Sequence, residues 1–305
     1  MFKFGKEQRI VEIGGIRIGG QPGELPTVLV GSLFHEGHRI VKDRKLGIFD
    51  KQRARLLIET QQEMSERTGV PCMLDIVAEK PEPLMKYIDF VSEVTDAPFL
   101  INGQDMSVRI SAANHAVDLG LRDRAVYNSI NYTVNGEEIQ AIKETGLEAA
   151  IIQAFNPRNP RPEGMISALE GTAGKEGLLR EASRAGVDKP LILMPVLDVP
   201  GIGMAAKGTY LAKERFGTPT GTAPVGVVGR WRRIGEYGEN AKKMCRAGAA
   251  TIAQAMGADF IIYGSIAKAR DIFPACAMAD AMVAYNARTL GLRPLTKNHP
   301  LYRIF

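Results

Sequence analysis

The chain has 305 residues, 45% hydrophobic and 24% charged, a balance that suits a folded globular protein and excludes a disordered or low-complexity one. Against 34 Asp and Glu stand 39 Lys and Arg, for a formal charge of +5. That excess is dispersed: its densest run, Arg230, Arg232 and Arg233 around Trp231, is too short for a nucleic-acid stripe, so an anionic small molecule or an acidic partner surface is the expected counterpart.

The opening Met-Phe-Lys-Phe-Gly-Lys lacks the apolar core of a signal peptide, and no apolar run approaches the ~18 residues that cross a bilayer. Cys72, Cys245 and Cys276 are far apart and form no CxxC pair, which argues for a reducing compartment and against structural zinc. A cytoplasmic protein without membrane insertion is expected.

In chain order, RIVEIGGIRIGG reads as a β-hairpin turning at Gly14-Gly15, within an extension over residues 1–24 that plugs the bottom of the domain. Eight short apolar runs follow: PTVLVGSLF, VPCMLDIVAE, APFLING, RAVYNSIN, LEAAIIQAF, KPLILMPVLD, TPTGTAP and ADFIIYGS. They are nearly continuous, as strands buried on both faces are. Between them lie helical stretches that stop at Gly69, Gly120, Gly146, Gly186, Gly217 and Gly257. From Lys51 to Glu66 the positions Ala54, Leu57, Ile58 and Met64 share one face, with Asp50 as N-cap. Strands alternating with helices predict a single (β/α)₈ TIM barrel over residues 1–305, with an open parallel sheet as the alternative.

In such a barrel the site lies at the C-terminal strand ends. Those ends carry Ser32, Asp75, Asn102, Asn128 with Ser129 and Asn131, Gln153, Asp198, and Tyr263 with Ser265. The seventh run closes on Pro224 and Gly226, followed by Arg230 and Trp231. No Cys, Lys or His closes a strand, so thiol and Schiff-base chemistry lose support. His35 and His38 flank Gly37 in a loop without a third ligand, so no metal site is expected. A ring of Asn, Asp and Gln suits a heterocycle with alternating donors and acceptors. The competing structural roles are helix capping by Asp75 or Asp198 and an Asx turn at Asn128. Gly201-Ile-Gly203 reads as a turn. The segment 156–174, rich in Pro and Gly, reads as a mobile lid.

Several long segments, among them HEGHRIVKDRKLGIFDK, KYIDFVSEVTDAPFLI, AVYNSIN, EAAIIQAFNP, GADFIIYGSIAKARDIFPA and HPLYRIF, resemble the H-subunit family of tetrahydromethanopterin S-methyltransferase. The likeness runs along essentially the whole chain and extends to bacterial tetrahydrofolate methyltransferases of the MtgA type. It implies a pterin-binding TIM barrel, a homodimer, and methyl transfer between a corrinoid and N5 of a reduced pterin. No DxHxxG corrinoid signature occurs here, so free methylcobalamin or a corrinoid protein partner would bring the cobalt. On this reading Asn102, Asn128 and Asp75 are the expected catalytic residues. Asp198, Ser129, Asn131, Gln153, Gly226 and Arg230 are the expected substrate contacts. Two positions depart from the methanogen pattern: Asn102 stands where an aspartate is usual, and the Gly226 loop lacks an asparagine. Both favour tetrahydrofolate or 5-methyltetrahydrofolate as substrate. The alternatives are a tetrahydromethanopterin-specific component of a methyltransferase complex and a non-catalytic protein that only holds the pterin.

Overall fold

The computed structural model describes residues 2–305. Its frame is a closed barrel of eight parallel strands: β1 Val28–Leu33, β2 Cys72–Ala78, β3 Phe99–Gly103, β4 Ala125–Ile130, β5 Ala149–Gln153, β6 Lys189–Met194, β7 Thr220–Thr222 and β8 Phe260–Ser265. Each pairs with its sequence neighbour, and β8 closes on β1 through Phe260↔Val28 and Ser265↔Ser32. Around it run α1 Lys51–Thr68, α2 Pro81–Val94, α3 Met106–Asp118, α4 Gly136–Thr145, α5 Pro162–Glu170, α6 Leu178–Arg184, α7 Gly201–Phe216, α8 Pro224–Val227, α9 Glu239–Ala255 and α10 Ala269–Ala287. The sequence reading of a TIM barrel is what the chain forms.

The helix stops fall where glycine is needed. Gly69 and Gly217 follow α1 and α7 at φ of 74° and 63°, a left-handed conformation that costs a Cβ-bearing residue energy and glycine nothing. At the other end of α1, Asp50 Oδ1 accepts the Arg53 amide at 3.0 Å. Its buried face is Ala54, Ile58, Gln61, Met64 and Thr68, so Leu57 sits at the edge rather than in the core.

Each strand buries both faces, but against different partners. Leu33, Leu74, Ile76, Ile101 and Tyr127 pack outward on the helices. Val28, Val30, Met73, Leu100, Val126, Ile151 and Leu191 fill the barrel, together with Val11, Ile13 and Ile18 of the N-terminal hairpin Ile10–Ile13/Ile16–Gly19. The hairpin therefore stoppers the N-terminal end of the barrel. Buried Lys213 of α7 fixes that end: it donates to the Gly20 carbonyl at 2.9 Å and pairs with Asp259, which accepts the Thr220 amide at 2.8 Å.

Three expectations change in detail. β7 holds only three residues, and Gly226 lies in the short helix α8 rather than in a loop. Segment 156–174 is not an irregular lid: it contains α5 and most of a small hairpin, Gly171–Thr172 with Lys175–Glu176. Tyr263, expected at the mouth, is fully buried and its hydroxyl bonds Gln61 of α1, because it alternates with Phe260 and Ile262, which face the barrel interior, and so points outward to the helices. Among the described residues no helix is long and apolar enough to cross a membrane.

Candidate functional site

Strand period explains how the polar residues meet. Side chains two apart share a face, so the position after Val30, Met73, Leu100 and Val126 on the barrel interior is Ser32, Asp75, Asn102 and Asn128. Register brings them together: Ser32 pairs with Asp75 and Asn102 with Asn128, the second pair lying one same-face step further along its strands. The apolar filling thus ends in a polar layer at the C-terminal mouth, contributed by four consecutive strands.

Asp75 is the centre of that layer and is 3% exposed. Its Oδ2 accepts from Ser32 Oγ at 2.7 Å, and its Oδ1 accepts from Asn102 Nδ2 at 2.9 Å and Asn128 Nδ2 at 3.4 Å. Burial pushes its carboxyl above the usual range; the bonds from Ser32, Asn102 and Asn128, and the proximity of His35, pull the other way. Since a carboxylate only accepts, both amides must turn Nδ2 toward it, which leaves their Oδ1 atoms for another partner. The layer can accept hydrogen bonds through amide oxygens and hold charge at a buried carboxyl, and contains no Cys, Lys or His. Among the described residues no group of three His, Cys, Asp or Glu could hold a metal. His38 is pushed down to about 4 by burial, then by His35 and Arg53, so it is neutral at pH 7.

The other expected residues occupy the rim without joining this network. Ser129 follows Asn128 on β4 and is buried. Asn131 orders its own loop: Oδ1 accepts the Thr133 amide at 3.0 Å and hydroxyl at 2.7 Å. Gln153 is half-buried at the end of β5. Asp198 is exposed, and its Oδ1 accepts the Gly201 amide at 2.7 Å, the helix-capping role that competed with pterin recognition in the sequence. Arg230 is exposed and reaches the Leu197 carbonyl at 3.5 Å. A groove of about 520 Å³, lined by Tyr132, Phe155, Asn156, Arg158 and Lys175, opens over the ends of β4 and β5. A cleft of similar size, about 540 Å³, lies at the opposite barrel end against Gly14 and Pro98, away from the polar layer.

Sequence reasoning put Ser32 at a strand end but gave it no role; its parity with Val28 and Val30 was the available signal. It missed Lys242, Arg246 and Lys268, because those lie on or before helices and only folding brings them to the mouth.

The comparisons agree with the fold. Dihydropteroate synthases share the fold: the Xanthomonas albilineans enzyme aligns with a TM-score of 0.55 at 14% identity over 95% of this chain and 100% of that one. The Thermus thermophilus enzyme gives 0.54 at 18% over 90% and 100%. The H subunit of tetrahydromethanopterin S-methyltransferase from Methanothermobacter thermautotrophicus is 42% identical over the whole of both chains, and that from Methanopyrus kandleri 38% over 98% of each. The H subunit of a putative mtx methyltransferase from Methanosarcina barkeri is 42% identical over 99% of each. The names of these relatives carry tetrahydromethanopterin, the pterin of the alternative reading, rather than tetrahydrofolate. With residues 6–295 matched by the family of tetrahydromethanopterin S-methyltransferase MtrH subunits, this chain belongs to that family.

Proposed function

We propose that the barrel mouth binds a reduced pterin of the tetrahydromethanopterin type and takes part in moving a methyl group between its N5 and a corrinoid carried by a partner. The observation that carries this is the Ser32–Asp75–Asn102–Asn128 layer, a floor that turns amide oxygens toward the mouth over a buried carboxyl, in a member of this family. Ring N–H groups would meet the Oδ1 atoms of Asn102 and Asn128. N5 becomes positive as it takes the methyl group and then sheds its proton; to give the methyl up it must first be protonated. Both directions therefore pass through a cationic N5 that preoriented amide oxygens above a buried carboxyl stabilise without forming a bond to it. The corrinoid, when present, supplies the cobalt that accepts or donates the methyl. This chain's part is to orient the ring and leave the mouth open on one side. A homodimer in the cytoplasm belongs to the same proposal; the exposed Met278, Met282, Tyr285 and Phe305 offer an apolar strip for assembly.

Calorimetry with tetrahydromethanopterin and with tetrahydrofolate tests the reading. Binding of the first at least ten times tighter is expected; preference for tetrahydrofolate would restore that alternative, and binding of neither would end the proposal. Loss of methylcobalamin absorbance on mixing with the bound pterin then separates an enzyme from a non-catalytic pterin holder. Asn128→Ala should slow that change ~100-fold, as loss of one preoriented polar group does.

A further inference from the structure

On the β7–β8 side of the mouth three cations converge. Lys242 and Arg246 stand one turn apart on α9, and Lys268 lies just before α10. A Cβ on Gly229 would sit 3.9 Å from both Arg246 Nη2 and Lys242 Cε; one on Gly264 would sit 3.1 Å from Lys268 Nζ and 3.9 Å from Gly226 Cα. The three glycines therefore leave an open floor between the three side chains. Lys268 donates to the Tyr263 carbonyl at 3.3 Å, while Arg246 Nε is buried with no partner among the described residues. Neighbouring Lys243 has Asp271 at 3.6 Å, but among the described side chains, which do not include that of Glu239, no carboxylate reaches ion-pair distance of Lys242, Arg246 or Lys268. Burial, then Arg246 and Lys242, lower Lys268 to about 8, so the three charges act on one another. Half-buried cations that repel one another, one with an unmet buried donor, cost stability that a bound anion would return.

We propose that Lys242, Arg246 and Lys268 form a phosphate-binding site that takes a phosphate ester in the side chain of the bound pterin. Assignment to the pterin rests on the reading above; the phosphate site itself does not. Register gives the path: Ser265 of β8 pairs with Ser32 of β1, which pairs with Asp75 of β2. Two strand spacings of about 4.8 Å separate the two ends of that row, so a ring seated on Asp75 would reach the cluster with its side chain. A phosphate offers more acceptor oxygens than a carboxylate and suits a mixed Lys and Arg set. Cobalamins also carry a phosphate ester, so the chemistry has two possible sources.

The test uses the full chain as wild type, Lys268→Met and Arg246→Gln, each checked for an unchanged melting profile; the two variants act independently should one fail to fold. Four probes are titrated: inorganic phosphate, tetrahydromethanopterin, tail-less 6-methyltetrahydropterin and methylcobalamin. Phosphate should raise the Lys268 titration midpoint, followed by NMR, by about one pH unit, since an anion favours the charged amine. Both variants should bind tetrahydromethanopterin roughly 10–100-fold more weakly, as loss of a charged hydrogen bond predicts, and 6-methyltetrahydropterin unchanged. Weakening of methylcobalamin alone would overturn the pterin assignment in favour of the corrinoid. An unmoved Lys268 midpoint with all affinities within twofold would overturn the site. Failure of wild type to bind 6-methyltetrahydropterin would count against the pterin pocket, while the Lys268 shift with phosphate would still decide the anion site.

Discussion

Ser32 Oγ donates to Asp75 Oδ2 at 2.7 Å across neighbouring strands, and this bond is one of three that hold a buried carboxyl at the mouth. Ser32→Ala removes it and leaves Oδ2 unmet. The carboxyl, already raised by burial, should rise further, because the serine bond lowers it. A group raised in the folded state contributes stability that is full below its unfolded value and is lost as pH rises through its folded value. The variant should thus lose roughly 1.5–3 kcal/mol at pH 8 and much less at pH 4. Urea denaturation at both values checks this; an equal loss at each would show that the bond does not act on the ionised form.

Asp75→Asn separates charge from shape. Its Oδ1 can still accept from Asn102 and Asn128, and its new amide can donate to Ser32, whose hydroxyl turns to accept. The fold should tolerate this within about 1 kcal/mol near pH 7, since an isosteric swap leaves no buried polar group unpaired. Methyl transfer should fall at least ~100-fold if the carboxyl stabilises charge at N5. A stable variant with near-normal transfer would reduce Asp75 to a structural anchor.

The barrel was legible because strand, glycine and helix punctuate the sequence at a repeat that one architecture satisfies. The polar layer was half legible. Asp75, Asn102 and Asn128 close strands, but that they meet follows from register, which sequence spacing does not encode. Asp198 shows the limit: a carboxylate after a strand and before a helix suits a ligand and an N-terminal amide equally, and here the Gly201 amide takes it. Lys242, Arg246 and Lys268 were invisible because helical cations ordinarily face solvent; only the glycines opposite them mark the place.

Below the barrel, Asp280 of α10 accepts the Thr27 amide at 2.9 Å and hydroxyl at 2.8 Å, and Gln254 Nε2 at 2.8 Å. Burial nevertheless raises it from 3.8 to about 7. By the same sign rule its contribution is full below its ordinary value and disappears as pH climbs through about 7. Unfolding free energy should therefore fall between about pH 4 and pH 8, by at most about 4 kcal/mol from this group. In Asp280→Asn the amide must face a donor, costing about 1–3 kcal/mol, but the slope should flatten. An unchanged slope would assign it to other groups.

Behind the site, Arg109 of α3 is buried and ties three elements together. It donates to Glu138 Oε1 at 2.6 Å, to the Tyr127 hydroxyl at 3.0 Å and to the Gly103 carbonyl at 3.3 Å, while the Tyr127 hydroxyl donates to Glu138 Oε1 at 2.6 Å. Gly103 follows Asn102, so this cluster braces the end of β3 from outside the barrel. Glu138→Ala leaves the guanidinium buried without its counter-charge and should cost about 3–5 kcal/mol. Glu138→Gln keeps the acceptor oxygen but removes the charge, so its cost should be smaller. If the cluster also positions Asn102, then Glu138→Gln should weaken pterin binding while Tyr127→Phe, which deletes the two hydroxyl bonds and leaves the ion pair, should scarcely change it. Chemical denaturation and calorimetry on the same variants read the two effects separately. Equal losses of affinity in both variants would show that rigidity of β4, not the ion pair behind β3, sets the pocket.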